Sequence, residues 1–367
     1  MVETTRRPGI RDVAETAGVS ISTVSRALSG KGRIPDSTRA RIRSLADELG
    51  YAPDPAARSL ASGRTGLVAT VVSLPGNAPL AFTEIDYYVE LTSAATRAAL
   101  ERGYALVLAP STAGPETWSR LPLDGVIVID PADGDPALPI LRHREMPIVF
   151  VGRDLNGRPD DLVVQNDRGA ATRLVLDHLR DVSGGDVAVL TLRTFESFTE
   201  ESLGAYRAWC EGHGQPPFVH TADGDSTADV AILEEAAAAF LARDERPAAV
   251  YCVYERLAVE LLVAARAAGV RVPQDLAVAT VNEMGLASTT EPPLTTLEVN
   301  QARLGEMAGE LLVDALEGRP VASVLDVPTV LIARASSDRQ PSAKPQRSTD
   351  RDRRMPGEVA RTRRDRT

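Results

Sequence analysis

Between Ile10 and Ser29 the chain holds two short helical patterns joined by a corner, and this segment restricts the local backbone path more than any other. Ile10, Val13, Ala14 and Ala17 recur at helical spacing and give the first helix a single apolar stripe. Gly18 follows at once, a residue able to take the left-handed conformation that stops a helix. Val19 plugs the corner. Ser20 is a natural N-cap for the second helix, its hydroxyl placed to accept from an amide two or three residues on. Val24 and Leu28 form that helix's buried face, leaving Ile21, Ser22, Ser25 and Arg26 outward. A third helix is expected from about Pro35 to Leu49, capped by Asp36 or Ser37, buried along Ile42, Leu45 and Leu49, and ended by Gly50. Arg39, Arg41 and Arg43 then fall on its exposed side. On spacing alone this is a three-helix bundle with a basic, solvated face.

Charge separates along the chain. The net charge is −10, yet residues 1–64 hold 11 Arg or Lys against 7 Asp or Glu, and residues 338–367 hold 10 against 5. The stretch between them therefore carries 20 against 39. A basic head on an acidic body suits one end touching phosphates while the body stays off them. Lys31 and Lys344 are the only lysines, so nearly every cation is a planar guanidinium capable of paired hydrogen bonds. With 367 residues and 43% apolar composition, two or three packed units are expected. No uninterrupted apolar run is long enough for a membrane span. The first twelve residues lack the apolar core of a signal peptide, so a cytoplasmic protein is expected. Cys210 and Cys252 lie far apart and read as reduced thiols without metal spacing.

The run Asp12-Val13-Ala14, Ala17-Gly18-Val19-Ser20 and Thr23-Val24-Ser25-Arg26 resembles the signature of the lactose-repressor (LacI/GalR) family almost residue for residue. Thr38-Arg39 and Glu48-Leu49-Gly50-Tyr51-Ala52-Pro53 fit it as well. The resemblance implies a sequence-specific DNA-binding transcriptional regulator whose second helix enters the major groove of a double-stranded operator. Ile21 and Ser22 would take base-reading positions, Ile21 by apolar contact and Ser22 by weak hydrogen bonding. Arg26 is the strongest base reader present, able to pair with guanine O6 and N7. Ser20, Thr23 and Tyr51 would position phosphates.

Asp54-Pro-Ala-Ala-Arg-Ser-Leu-Ala-Ser-Gly63 follows. Alone it is a proline-capped scrap of helix too short to stand in water, and an ordinary linker is one reading of it. Behind this headpiece it resembles the family's hinge helix, which implies Leu60 as an apolar wedge in the minor groove and Ala57 as a point of close approach. Arg58 would face phosphate or the core. Asp54 stands where the family usually has Asn and places a carboxylate near phosphates.

From Gly66 strand-like and helical runs alternate, which means parallel sheets covered on both faces. The strands are Leu67–Ser73, Ala105–Leu108, Gly125–Ile129, Pro147–Val151, Val187–Leu190, Ala248–Tyr251 and Leu276–Val281. Among them lie helices over Glu84–Gly103, Gly169–Val182, Leu203–Gly212, Asp229–Ala242 and Arg256–Gly269. Asp124-Gly-Val-Ile, Val270-Arg-Val-Pro-Gln-Asp-Leu276 and Pro292-Pro-Leu-Thr-Thr-Leu297 extend the family resemblance here. They imply a two-lobed, periplasmic-binding-protein-like α/β core with a ligand cleft at the carboxyl ends of the strands. The chain should cross between lobes near Gln165, Thr295 and Leu325. The ligand anchors depart from the family pattern. Alignment on Tyr206 puts Ser202 where a sugar-binding Arg is usual, Tyr254-Glu255 stands for Asn-Asp, and Asn282 for Asp. Ser202, Glu255 and Asn282 keep hydrogen-bonding capacity without a fixed cation. Asn77, Phe82 and Arg153 would line the other lobe, Phe82 by stacking or simple packing. Pro110–Pro122 is short, consistent with a trimmed helix.

The expected organisation is an all-α helix-turn-helix headpiece (1–52), a hinge helix and linker (53–65), and an effector-binding and dimerisation core (66–337). Lobe 1 spans about 66–164 and 296–324, and lobe 2 about 165–295 and 325–337. Residues 338–367 form a basic tail with no leucine heptads, expected to be disordered. The reading is a homodimeric repressor of a palindromic operator, released by a sugar or an atypical small-molecule effector. The alternatives are a DNA-binding regulator with a silent or repurposed core and a solute-binding protein. No phosphate loop, nucleophile elbow or metal spacing appears, so no enzyme, cofactor or metal is expected.

Overall fold

The computed structural model describes residues 8–28, 32–52, 63–73, 85–110, 112–193, 197–223, 229–281 and 286–338. The expected positions Ala57, Leu60, Asn77, Phe82 and Asn282 lie outside these residues, as do the hinge segment 53–62 and residues 339–367.

The head is a three-helix unit: α1 (Ile10–Ala17), α2 (Ile21–Leu28) and α3 (Asp36–Glu48). Its core joins Val13, Ala14 and Ala17 of α1 to Val24 and Ala27 of α2 and to Ile42 and Ala46 of α3. Gly18 adopts the left-handed conformation at φ 63°, which only a residue without Cβ reaches at no steric cost. This lets Val19 N donate back to Ala14 O at 3.1 Å and closes α1. Ala27 rather than Leu28 is the second fully buried contact of α2, because the three small helices approach closely and the longer leucine is left half-buried at the edge.

The core has two six-stranded sheets. The first contains β1 (Leu67–Val72), β2 (Ala105–Pro110), β3 (Gly125–Ile129), β4 (Ile148–Val151), β5 (Leu162–Gln165) and β11 (Val324–Asp326), in the order β11-β5-β4-β3-β1-β2. The second contains β6 (Val187–Leu192), β7 (Val219–Ala222), β8 (Ala249–Cys252), β9 (Ala277–Val281), β10 (Thr295–Glu298) and β12 (Val330–Ile332), in the order β12-β10-β9-β8-β6-β7. All pairings are parallel except β10 with β12.

The near-continuous apolar strands are explained by cover on both faces. Val68, Val72, Ile127, Ile129, Val149 and Val151 face α4 (Asp86–Glu101) and α12 (Gln301–Leu316). The alternate residues Ala69, Val71, Val126, Val128 and Phe150 pack on α5 (Pro115–Arg120) and α6 (Ala137–His143). The second sheet is covered likewise by α7 (Arg168–Ser183) and α8 (Ser197–His213) on one face, and by α9 (Val230–Leu241) and α10 (Glu255–Ala267) on the other. A one-turn α11 (Leu286–Thr289) packs beside α10. Among the described residues of the Pro110–Pro122 segment, the helix is the six-residue α5.

Three crossings join the sheets. The first follows Gln165, the position expected. The second follows Glu298 rather than Thr295, because Thr295–Glu298 pairs with β9 and stays in the second sheet. The third follows Asp326 rather than Leu325, because Val324–Asp326 adds to β5 in the first. Among the described residues no helix is long and apolar enough to cross a membrane.

Candidate nucleic-acid interface and interlobe cleft

The exposed face of α2 brings together five expected DNA-binding residues. Ser20 caps the helix, its Oγ accepting from Thr23 N at 3.1 Å and lying 2.8 Å from both Ser22 Oγ and Thr23 Oγ1. This end presents backbone N–H groups, hydroxyls and the positive pole of the helix dipole, an arrangement that accepts a phosphate oxygen. Ile21 is 43% exposed and presents an apolar side chain on this face. Ser22 and Arg26 are exposed on the same helix. Tyr51 instead packs half-buried against the head's core, with its backbone N–H donating to Ala46 O at 2.8 Å.

Of the α3 arginines expected on the exposed side, Arg41 and Arg43 are exposed and Arg39 is half-buried. Arg39 turns back to donate to Arg26 O at 3.4 Å, Ala27 O at 3.3 Å and Gly32 O at 3.4 Å. Arg41 donates to Ala17 O at 2.9 Å. Both guanidiniums thus occupy helix C-termini, where unpaired carbonyls and the negative pole of the dipole attract a cation.

Where the chain enters the core it is held tightly to lobe 1. Asp124 accepts from Thr65 N at 2.8 Å, Thr65 Oγ1 at 3.0 Å and Gly66 N at 2.7 Å. Arg64 donates to Leu316 O and, at 3.3 Å, to Tyr104 Oη.

The carboxyl ends of β3 and β4 face α7 and α8 across a narrow cavity lined by Tyr87, Asp130, Gly152, Arg168, Ser197 and Glu201, among others. Asp130 directly follows β3, is 5% exposed and holds the left-handed conformation at φ 47°. Burial raises its carboxyl to a pKa of about 6, against the opposing influence of Arg168 and Tyr88. Burial also raises the Glu201 carboxyl, opposed by Arg153 and Arg168. Arg168 lies over the Phe198 ring at 5.5 Å. Ser197 Oγ is buried without a hydrogen-bond partner among the described residues. The cleft therefore offers two carboxyl groups, the guanidinium of Arg168, the idle hydroxyl of Ser197 and an aromatic face.

Of the expected effector residues, Arg153 stands beside this cleft, its Nε 4.0 Å from Oε1 of Glu201 on the opposite lobe. Ser202 is buried and donates to Phe198 O within its own helix at 2.7 Å. Glu255 is buried with Oε1 accepting from Ala287 N at 2.9 Å, which serves α11. Sequence reasoning missed Asp130, Arg168, Ser197 and Glu201. Asp130 carried a usable signal, since it stands at the carboxyl end of the apolar run Gly125–Ile129, where ligands bind in such sheets.

Comparison with known proteins follows the same division. Residues 9–54 match the model of bacterial regulatory proteins of the lacI family, and residues 176–337 match that of a periplasmic-binding-protein-like domain. The HTH-type transcriptional regulator CelR of Thermobifida fusca is 32% identical over 357 residues, spanning 91% of this chain and 100% of the relative. The ribose operon repressor of Escherichia coli K12 is 29% identical over 315 residues, spanning 83% of this chain and 92% of the relative. A solved CelR–cellobiose complex superimposes with a TM-score of 0.64 at 28% identity, over 90% of this chain and 100% of that one. The lac repressor dimer bound to operator and the anti-inducer ONPF superimposes at 0.75 with 21% identity, over 90% of this chain and 99% of that one, a likeness of fold.

Proposed function

Because the chain belongs to the lacI family of bacterial regulatory proteins, we propose that it is a cytoplasmic repressor that binds a pseudo-palindromic operator as a homodimer and lets go when a small molecule enters the interlobe cleft. Ile21, Ser22 and Arg26 read base edges, while Ser20, Thr23 and Tyr51 hold phosphates. Leu60 of each subunit wedges the minor groove at the operator centre, with Ala57 permitting the approach.

The observation that carries this reading is a mechanical one. The residues that enter the core, Thr65 and Gly66, are gripped by Asp124 of lobe 1, while the cleft is shared by both lobes. A ligand that changes the lobe angle thereby moves the attachment of the DNA-binding segment. Its differential affinity for the two lobe arrangements sets the coupling, typically about 1–3 kcal/mol. The carboxylates Asp130 and Glu201, the guanidinium of Arg168 and the hydroxyl of Ser197 suit a hydroxyl-rich ligand. Ser202 and Glu255, engaged within the protein, serve as supports for α8 and α11 in this scheme. The second reading, a regulator with a silent core, draws on the cleft's own side chains, which already pair Arg153 with Glu201 across it.

Selection of bound duplexes from a random pool tests the proposal. A pseudo-palindrome with two half-sites is expected. Enrichment of one isolated half-site contradicts the dimer, and no enriched motif contradicts operator binding.

A further inference from the structure

The basic residues of α3 divide into two kinds that the sequence does not distinguish. Arg41 and Arg43 are exposed on the helix and Arg39 is half-buried, so exposure alone does not separate them. Arg39 and Arg41, two residues apart, send their guanidiniums to the C-terminal carbonyls of the two preceding helices. Arg41 caps α1 at Ala17 O, and Arg39 caps α2 at Arg26 O and Ala27 O while also holding Gly32 O beyond the helix end. α2 has only eight residues, so its C-terminal turn is half its length. It carries at that end the exposed Arg26, whose own carbonyl is one of those held. A hypothetical Cβ on Gly32 would come within 3.3 Å of Arg26 Cδ, so the segment held by Arg39 also confines the stem of Arg26.

We propose that Arg39 and Arg41 are positioning residues for base reading: they fix the ends of the helix-turn-helix pair and the direction of Arg26, and they are not phosphate ligands. This rests on α2 being the base-reading helix. An eight-residue helix is marginal without tertiary support, and its unpaired carbonyls need partners. A guanidinium meets several carbonyls in one plane, which an ammonium cannot do. Loss of Arg39 lets the last turn of α2 fray and spreads Arg26 over several directions. Contacts that need one direction are weakened, while diffuse attraction to phosphates persists.

The test uses the full chain and two duplexes, one selected by the wild-type protein from a random pool and one scrambled, titrated across a range of salt. Arg39→Gln should weaken binding to the selected duplex roughly tenfold, as expected when a charged hydrogen-bonding group is removed. Binding to the scrambled duplex and the salt slope should remain near wild type. Arg39→Lys should recover part of the loss, and Arg43→Gln should weaken both duplexes alike with a slope reduced by about one. Two outcomes overturn the proposal for Arg39. A slope reduced by about one with the ratio between duplexes unchanged makes it a phosphate ligand. Equal loss on both duplexes with a lowered melting temperature of the head makes it a folding residue only. Arg41→Gln is judged by the same criteria. Arg26→Ala is the separate control: unchanged discrimination there removes Arg26 as a base reader, whatever the α3 variants do.

Discussion

The side-chain amide of Asn166 donates to the backbone carbonyl of Val327 at 2.8 Å. The same nitrogen donates to Val299 O at 3.1 Å. Asn166 belongs to the first crossing between lobes, Val299 to the second and Val327 to the third, so one buried amide ties together all three strands about which the lobes turn. The carbonyls have no water to fall back on, and Asn166 is 8% exposed. Asn166→Ala should cost roughly 1–3 kcal/mol by orphaning buried acceptors, and Asn166→Asp should cost more, because a carboxylate cannot donate. Urea unfolding of the core checks this, and a loss below about 0.5 kcal/mol for both variants would show the tie to be dispensable.

The contact of α12 with α4 depends on two missing side chains. A Cβ at Gly305 would fall inside the van der Waals envelope of Leu91 O, and one at Gly309 would lie 2.8 Å from Ala95 O. Alanine favours helix over glycine by about 1 kcal/mol, but overlap with a neighbouring backbone costs typically about 1–3 kcal/mol or more. The overlap should win at Gly305, where the obstruction is backbone and cannot rotate away. Gly305→Ala should therefore lower the core's unfolding free energy, and an increase would mean that the helices separate freely.

Asp130 should give stability a pH dependence. Its pKa is raised from 3.8 to about 6 by burial, so the folded state holds this proton more tightly than the unfolded one. The contribution is full below about pH 4 and is lost as pH rises through about 6. Above that, the folded protein carries a poorly solvated charge at an order-of-magnitude cost of 2–3 kcal/mol. Asn keeps the shape and tolerates positive φ. Relative to wild type, Asp130→Asn should gain that amount between pH 4 and pH 8 in denaturant titrations. A difference independent of pH would place the carboxylate in a well-solvated setting.

Asp124→Ala should loosen the attachment of the DNA-binding segment to lobe 1. Three hydrogen bonds from Thr65 and Gly66 are lost, yet the cleft residues are untouched. Core stability should fall by about 1–3 kcal/mol, and the effect of ligand on operator affinity should shrink. Undiminished coupling would show that the signal leaves lobe 1 elsewhere.

The headpiece was legible because its determinants are local: the stripe Val13, Ala14 and Ala17, the left-handed Gly18 and the cap Ser20 each act within a turn of themselves. The alternation of strand and helix, and the first crossing at Gln165, were legible for similar reasons. The later crossings lie within three residues of the expected places, and their exact points depend on β10, β11 and β12, strands of three or four residues whose sheet membership is decided by partners far along the chain. The roles of Arg39 and Arg41 were hidden because exposure by periodicity says nothing of a long side chain that folds back to another helix. The cleft was partly legible: Arg153 comes near it through Glu201, but Ser202 and Glu255 are engaged by their own helix and by α11. Arg168 was overlooked at the start of a helix, where it resembles any solvated cation.

Whether the core controls the head is read from the anisotropy of a labelled, selected operator bound to the full chain. Pools of sugars, nucleobases, amines and organic acids are added in turn. One pool should release the operator, weakening its affinity at least about fivefold, as a coupling of about 1 kcal/mol or more requires. A tight operator complex that no pool disturbs would contradict it, leaving a DNA-binding regulator whose core senses none of these molecules.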